Sequence, residues 1–111
     1  MPNNSYQIER IKQRLYRHNL VEKKMFGFHI FMLNDAILIG LGRNKNTGED
    51  VLLVRIGRIL VDQLISEGKC RPMDPEKNSM KAFAFVDAEN FDLDSDLDFW
   101  IEKSLKFNSE L

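Results

Sequence analysis

Cysteine is nearly missing from this chain: Cys70 is the only one in 111 residues. A single thiol closes no intramolecular disulfide and falls far short of a zinc ligand set, which fits a reducing compartment. Long apolar runs are missing as well, and none reaches the length needed to cross a bilayer, so no membrane association is expected. The opening stretch, Met1 to Tyr6, is polar and lacks the apolar core of a secretory leader, so a cytoplasmic location is expected. Net charge is small, −1, and exerts no overall pull toward nucleic acid or an anionic membrane. No repeat or low-complexity tract is visible. Only two histidines occur, His18 and His29, and they stand far apart.

What is present suits one soluble globular domain, residues 1 to 111, with 43% hydrophobic and 30% charged residues. The charge is unevenly placed. Residues 1 to 24 hold six Lys/Arg and two Asp/Glu, whereas residues 81 to 111 hold three and eight. Such a bipolar chain can pair its own ends, bind a partner head to tail, or simply present two solvated faces.

Periodicity predicts the elements. Asn4 and Gln7 have capping-box spacing, and Ile8, Ile11 and Leu15 share one helical face, so a helix is expected from about Asn4 to His18, with Arg10, Lys12, Arg14 and Arg17 on its other faces. Strands are expected at Val21 to Met25, His29 to Leu33, Ala36 to Leu41 and Val51 to Ile56. Asn34-Asp35 and Asn44 to Gly48 supply the turns between the later ones. Leu60, Val61, Leu64 and Ile65 return to helical spacing, with Gly68 as the C-terminal cap. Pro72 and Pro75 bracket an irregular loop, Arg71 to Ser79, before a strand at Ala82 to Val86. Acidic residues from Asp92 to Asp98 head a last helix with the stripe Leu97, Trp100, Ile101 and Leu105. The order is α-β-β-β-β-α-β-α: an α+β fold with a single antiparallel sheet of about five strands and three helices. Met25, Phe26, Phe31, Leu53, Phe85, Trp100 and Ile101 are expected in one core.

Phe28, Ile30 and Met32 point one way from their strand, and His29, Phe31 and Leu33 the other. A sheet apolar on both faces needs cover on both, which three helices in so short a chain do not obviously supply. A homodimer is therefore expected.

Several motifs bear on chemistry. "KAFAFVDA" at Lys81 comes close to the RNA-recognition strand signature, but that module places a helix after its first strand, so Phe83 and Phe85 are read as core residues of the fifth strand. "GLGRNK" at Gly40 lacks the following helix that a phosphate loop needs, and its glycines are read as lying at a strand end. His29 is read as a satisfied core histidine. The alternating Asp92, Asp94, Asp96 and Asp98 lack the glycine of a calcium loop, because Leu97 occupies its place. No catalytic, cofactor-binding or metal-binding residues are assigned, and no cofactor is expected. Arg55 is open to three readings: a head group in solvent, an ion pair, or an interface contact.

Taken in order, "ERIKQRL" at Glu9, "EKKMFG" at Glu22, "FMLND" at Phe31, "LLVRIG" at Leu52, "CRPMD" at Cys70, "MKAFAFVD" at Met80 and "DLDFWIEKSLKF" at Asp96 resemble the N-terminal domain of the TfoX (Sxy) competence-regulator family. The resemblance spans nearly the whole chain. It implies a secretion-chaperone-like α/β architecture whose members commonly dimerise. It also implies a non-enzymatic regulatory or adaptor role through protein–protein contact, with an unidentified partner connected with transcription, since the family's regulators promote transcription at promoters used by the cyclic-AMP receptor protein. Two departures stand out. Phe28 follows Gly27 where the family often has a second glycine, and the family's second domain does not follow before Leu111. The candidate interaction residues are Lys23, Lys24, Arg55, Arg71 and Met73. The alternatives are nucleic-acid binding by the basic first helix with Lys23 and Lys24, and a small enzyme with a site near Arg55 and the Arg71 to Asp74 loop.

Overall fold

A computed structural model describes residues 5–25, 27–73 and 80–111. Among them α1 (Ser5–Arg14) precedes four strands in succession: β1 (Val21–Met25), β2 (Phe28–Leu33), β3 (Ala36–Arg43) and β4 (Asp50–Arg55). Then come α2 (Arg58–Ser66), β5 (Arg71–Pro72), β6 (Phe83–Asp87), a 3-10 turn at Ala88–Asn90 and α3 (Asp94–Ser109). The expected α+β class and three helices are found. The sheet has six strands in the order β1-β2-β3-β4-β6-β5, and every pair is antiparallel.

The additional strand is β5, which lies in the stretch read as a loop. Two residues, one of them proline, carry no alternation for a sequence pattern to detect. They pair all the same, Arg71 opposite Phe85 and Pro72 opposite Ala84. α1 is also shorter than expected: Leu15 to His18 close it as a turn, with Leu15 and His18 amides bonding back to Ile11 and Leu15 carbonyls. The expected cap Asn4, the expected core residue Phe26 and the loop segment from Asp74 to Ser79 lie outside the described residues.

The turns form for the reasons their residues suggest. Asn34 and Asp35 both adopt positive φ, 55° and 63°, and Leu33 pairs with Ala36 across them. Asn and Asp tolerate this conformation, and its twist matches that of the flanking strands. In the next turn the Asn44 carboxamide accepts hydrogen bonds from the Asn46 and Thr47 amides. Gly68, at φ 74°, ends α2: its amide bonds Ile65 O and the Lys69 amide bonds Leu64 O. This is the crossed pair of bonds that a left-handed glycine permits at a helix end.

Strand alternation sorts the apolar residues into two clusters rather than the single core expected. The larger lies between the sheet and the helices. Phe31, Leu41, Leu52, Val54 and Val86 of the sheet meet Ile11, Val61, Leu64, Leu97, Trp100 and Ile101 of the helices. A register shift between Phe31 and Met32 adds Leu38 to this side. Trp100 is 2% exposed, and its indole N–H donates to Asn90 O at 2.9 Å. The smaller cluster lies on the opposite face of the sheet. Ile30, Leu53 and Phe83 are buried there, and Met25, Phe85 and others pack against them half-buried.

The two oppositely charged ends of the chain meet. Arg10 is buried, and its guanidinium donates to Gln7 Oε1, Phe91 O, Asp92 O and Asp94 Oδ1 at 2.8, 3.3, 2.9 and 3.0 Å. Arg14 pairs with Asp94 and Asp98. These two arginines are therefore not part of a solvated basic face, and self-pairing is realised between α1 and the head of α3.

Candidate interaction surface

The second face of the sheet is assembled from every other residue of its strands. From β2 it takes Phe28, Ile30 and Met32, which the register sets beside Gly42, Gly40 and Ile37 of β3. The glycines govern its shape. A β-carbon on Gly40 would stand 2.5 Å from Ile30 Cδ1, and one on Gly42 would stand 2.7 Å from the Phe28 ring. Neighbouring side chains occupy the space left free. The Phe28 ring lies over Gly42 and stacks on Phe85 of β6, with centroids 5.6 Å apart and planes 25° apart. The glycines of "GLGRNK" thus sit within β3, not at a strand end, and their role is close packing rather than a turn.

Methionine marks this face. Met25, Met32, Met73 and Met80, every methionine among the described residues, pack on the smaller cluster. Among the described residues, none of the clustered apolar side chains on this side comes from α1, α2 or α3. Phe83 and Phe85 belong here too. Phe83 is buried and Phe85 half-buried, so they do sit in an apolar cluster, but on the side away from the helices.

Charged groups border the apolar centre, and the five residues expected to interact take different places. Lys23 stands opposite Ile30 and projects at the β1 margin of this face. Lys24 stands opposite His29 and projects to the helix side, so alternation separates the two lysines. Arg55 shares the second face with Val51 and Leu53, as its parity requires. Its guanidinium lies over the Phe83 ring at 5.1 Å and the Phe107 ring at 5.6 Å. It makes no ion pair among the described residues, and its buried Nε has no hydrogen-bond partner. Arg71 forks onto Asp87 through Nε and Nη2, at 3.0 and 2.8 Å, and lies over Phe85 at 5.6 Å. The Asp87 carboxylate raises the Arg71 pKa above its ordinary value. Met73 is half-buried in the cluster. Met73, Arg71 and Arg55 are thus brought to one face with Lys23 at its far margin, and Lys24 is not.

Phe28, Met25, Met32, Gly40 and Gly42 belong to this face and are not among the residues the sequence nominates. The usable signal was the parity of the methionines. Its weakness is that strand boundaries near Gly27 and Met73 must be known first.

Elsewhere, His29 is held by a polar partner rather than by the core alone. Its Nε2 lies 2.8 Å from Glu22, which Lys12 also approaches at 3.4 Å. Burial pushes the Glu22 carboxyl up, and the hydrogen bonds from His29 and Lys12 outweigh it, leaving the pKa lowered. Burial raises the Cys70 thiol to about 11. No three His, Cys, Asp or Glu side chains among the described residues are placed to hold a metal ion. No helix among them is long and apolar enough to cross a membrane.

What the second face offers is burial: a soft apolar floor, two stacked rings and a thin charged border. Comparison of the chain with models of protein families, with curated proteins and with solved structures finds no match.

Proposed function

We propose that this chain is a non-enzymatic binding domain of the regulatory or adaptor kind, and that it docks other proteins through the second face of its sheet. The observation that carries the reading is the four-methionine, two-phenylalanine surface on the side away from the helices. Methionine is flexible and polarizable, and it recurs where a surface must fit an apolar partner without being moulded to one shape. The resemblance of "EKKMFG", "LLVRIG" and "CRPMD" to the TfoX N-terminal domain supports the same class of role, including a partner connected with transcription and a cytoplasmic setting.

A second copy is the first occupant we propose. Lys23 stands at the β1 margin of the face and Asp87 toward the β5 margin. Two sheets packed face to face about a two-fold axis along the strands would set the β1 margin of each copy over the β5 margin of the other. Sedimentation at micromolar concentration is expected to give roughly twice the 13.0 kDa chain mass. Met32→Asp should return it to the chain mass with the fold intact by circular dichroism. A monomeric parent chain, or a Met32→Asp variant that stays dimeric, refutes this use of the face.

One observation favours a second reading, binding of single-stranded nucleic acid: Phe28 and Phe85 stack on a sheet face bordered by Lys23 and Arg71. Against it, Arg71 is committed to Asp87, and Arg10 and Arg14 of the basic first helix are committed to α3. Fluorescence anisotropy with labelled RNA and duplex DNA is expected to show nothing tighter than about 10⁻⁶ M at physiological salt. Submicromolar, salt-sensitive binding abolished by Phe28→Ala would overturn the adaptor reading.

A further inference from the structure

Two exposed features at opposite ends of α3 are opposite in charge, and each has an apolar centre. At its head, the corner after the 3-10 turn holds Leu93 with 63% of its surface exposed, between Asp92 and Asp94. The corner is rigid, because Arg10 donates to Phe91 O, Asp92 O and Asp94 from a buried position. Glu89, Asp92 and Asp96 make no ion pair among the described residues. At the other end, α2 and α3 frame a groove of about 680 Å³. Leu60 and Phe107 line it, Ile59 stands at its lip with 86% of its surface exposed, and its charged lining is Arg58, Lys106, Glu110 and Lys103, the last 3.9 Å from Glu102.

We propose that the acidic Leu93 corner of one copy docks in the α2–α3 groove of the next. α3 has 16 residues and so is about 24 Å long, which keeps the two features of one chain apart. The contact therefore forms only between copies. It is head-to-tail, joining unlike surfaces, and so leaves a free corner and a free groove at the ends of every assembly. Leu93 fills the apolar part of the groove, and Asp92 and Asp96, which make no ion pair among the described residues, meet Arg58 and Lys106. The pre-ordered corner loses little freedom on docking. A single protruding leucine and its neighbours bury less than a standard interface, so the association is weak, with Kd on the order of 100 μM. It uses a different surface from the second sheet face, and either contact forms without the other.

The test is sedimentation of the full chain over a concentration series reaching about 1 mM, roughly tenfold above that Kd. The apparent mass is expected to climb without a plateau at a fixed stoichiometry. Raising NaCl from about 0.05 to about 0.5 M should weaken the climb around tenfold, since the paired charges are solvent-accessible. Two variants at exposed positions then separate the halves: Leu93→Lys removes the corner, and Ile59→Glu with Lys106→Glu removes the groove. Neither should climb alone. An equimolar mixture should gain complexes, because one chain keeps an intact corner and the other an intact groove. A parent chain whose mass does not rise, a rise indifferent to salt, or a mixture that behaves as the average of its parts overturns the proposal.

Discussion

Arg10→Met probes how the basic start of the chain is joined to its acidic end. The substitution keeps an unbranched stem of similar bulk, so the loss is mainly of hydrogen bonds. Four are removed. The bond to Phe91 O is buried, and its carbonyl would be left without a partner, costing about 1–2 kcal/mol. The bond to Asp92 O comes from a charged donor and contributes about 1 kcal/mol net, because water can replace part of it. The Asp94 carboxylate has 78% of its side-chain surface exposed, so water screens that pair and it adds little. The total is about 2–3 kcal/mol, or a fall in Tm of about 10 °C for a domain of this size. Urea denaturation at neutral pH measures it, with the slope m unchanged. Arg10→Lys should recover less than half, because an ammonium cannot span the two carbonyls and the carboxylate together. A loss below about 1 kcal/mol for Arg10→Met would refute the reasoning and show that the guanidinium is replaceable by water.

Three further outcomes are expected. The hydrogen bond from Arg10 and the nearby Arg14 charge hold the Asp94 pKa below its ordinary 3.8. The associated stability is therefore complete above 3.8 and is lost as pH falls through the lower folded value; acid titration of Arg10→Met should show a shallower loss over that window. Trp100→Ala removes a side chain only 2% exposed and should cost about 3–5 kcal/mol in chemical denaturation; a cost under ~1 kcal/mol would place the indole outside the core. With its thiol pushed up to about 11, Cys70 should react with iodoacetamide at pH 8 roughly 100-fold more slowly in the native protein than in urea, and equal rates would contradict its burial.

The parts of the fold legible in the sequence are those where one local rule dominates. The spacing of Leu97, Trp100, Ile101 and Leu105 predicts an apolar helical stripe; the first three are buried and Leu105 is half-buried. Asn34-Asp35 predicts a tight turn and Gly68 a helix end, and backbone geometry at both agrees. The opposed parities of Phe28–Ile30–Met32 and His29–Phe31–Leu33 predict a two-sided apolar strand, and the two clusters divide accordingly, with Ile30 on one side and Phe31 on the other. Non-local features were not legible. β5 is too short to have a period, and it exists because β6 offers it an edge. Arg10 looks like any surface arginine until the Phe91–Asp94 corner, over 80 positions later, is folded against it. The Phe28–Phe85 stack requires Gly42 on β3 and a knowledge that β3 and β4 lie between the two rings' strands. The lysine pair shows the opposite error: adjacency in sequence suggested one patch, and the pleat sends the two residues to opposite sides.

The margins of the sheet carry a consequence for how the protein behaves when crowded. One outer strand is only two residues long and contains Pro72, which has no amide hydrogen to offer an incoming chain. The other, β1, reads VEKKM and sets Glu22, Lys23 and Lys24 along its open side. Neither invites another strand to add itself by main-chain hydrogen bonding. Lateral growth into a fibril is thus discouraged in a chain whose interior strands, such as "DVLLVR", have the composition that polymerises readily once uncovered. Selection on the two outermost strands would then act on solubility rather than on recognition, and substitutions there that remove the proline or the lysines should surface as aggregation during synthesis before any change in binding is seen.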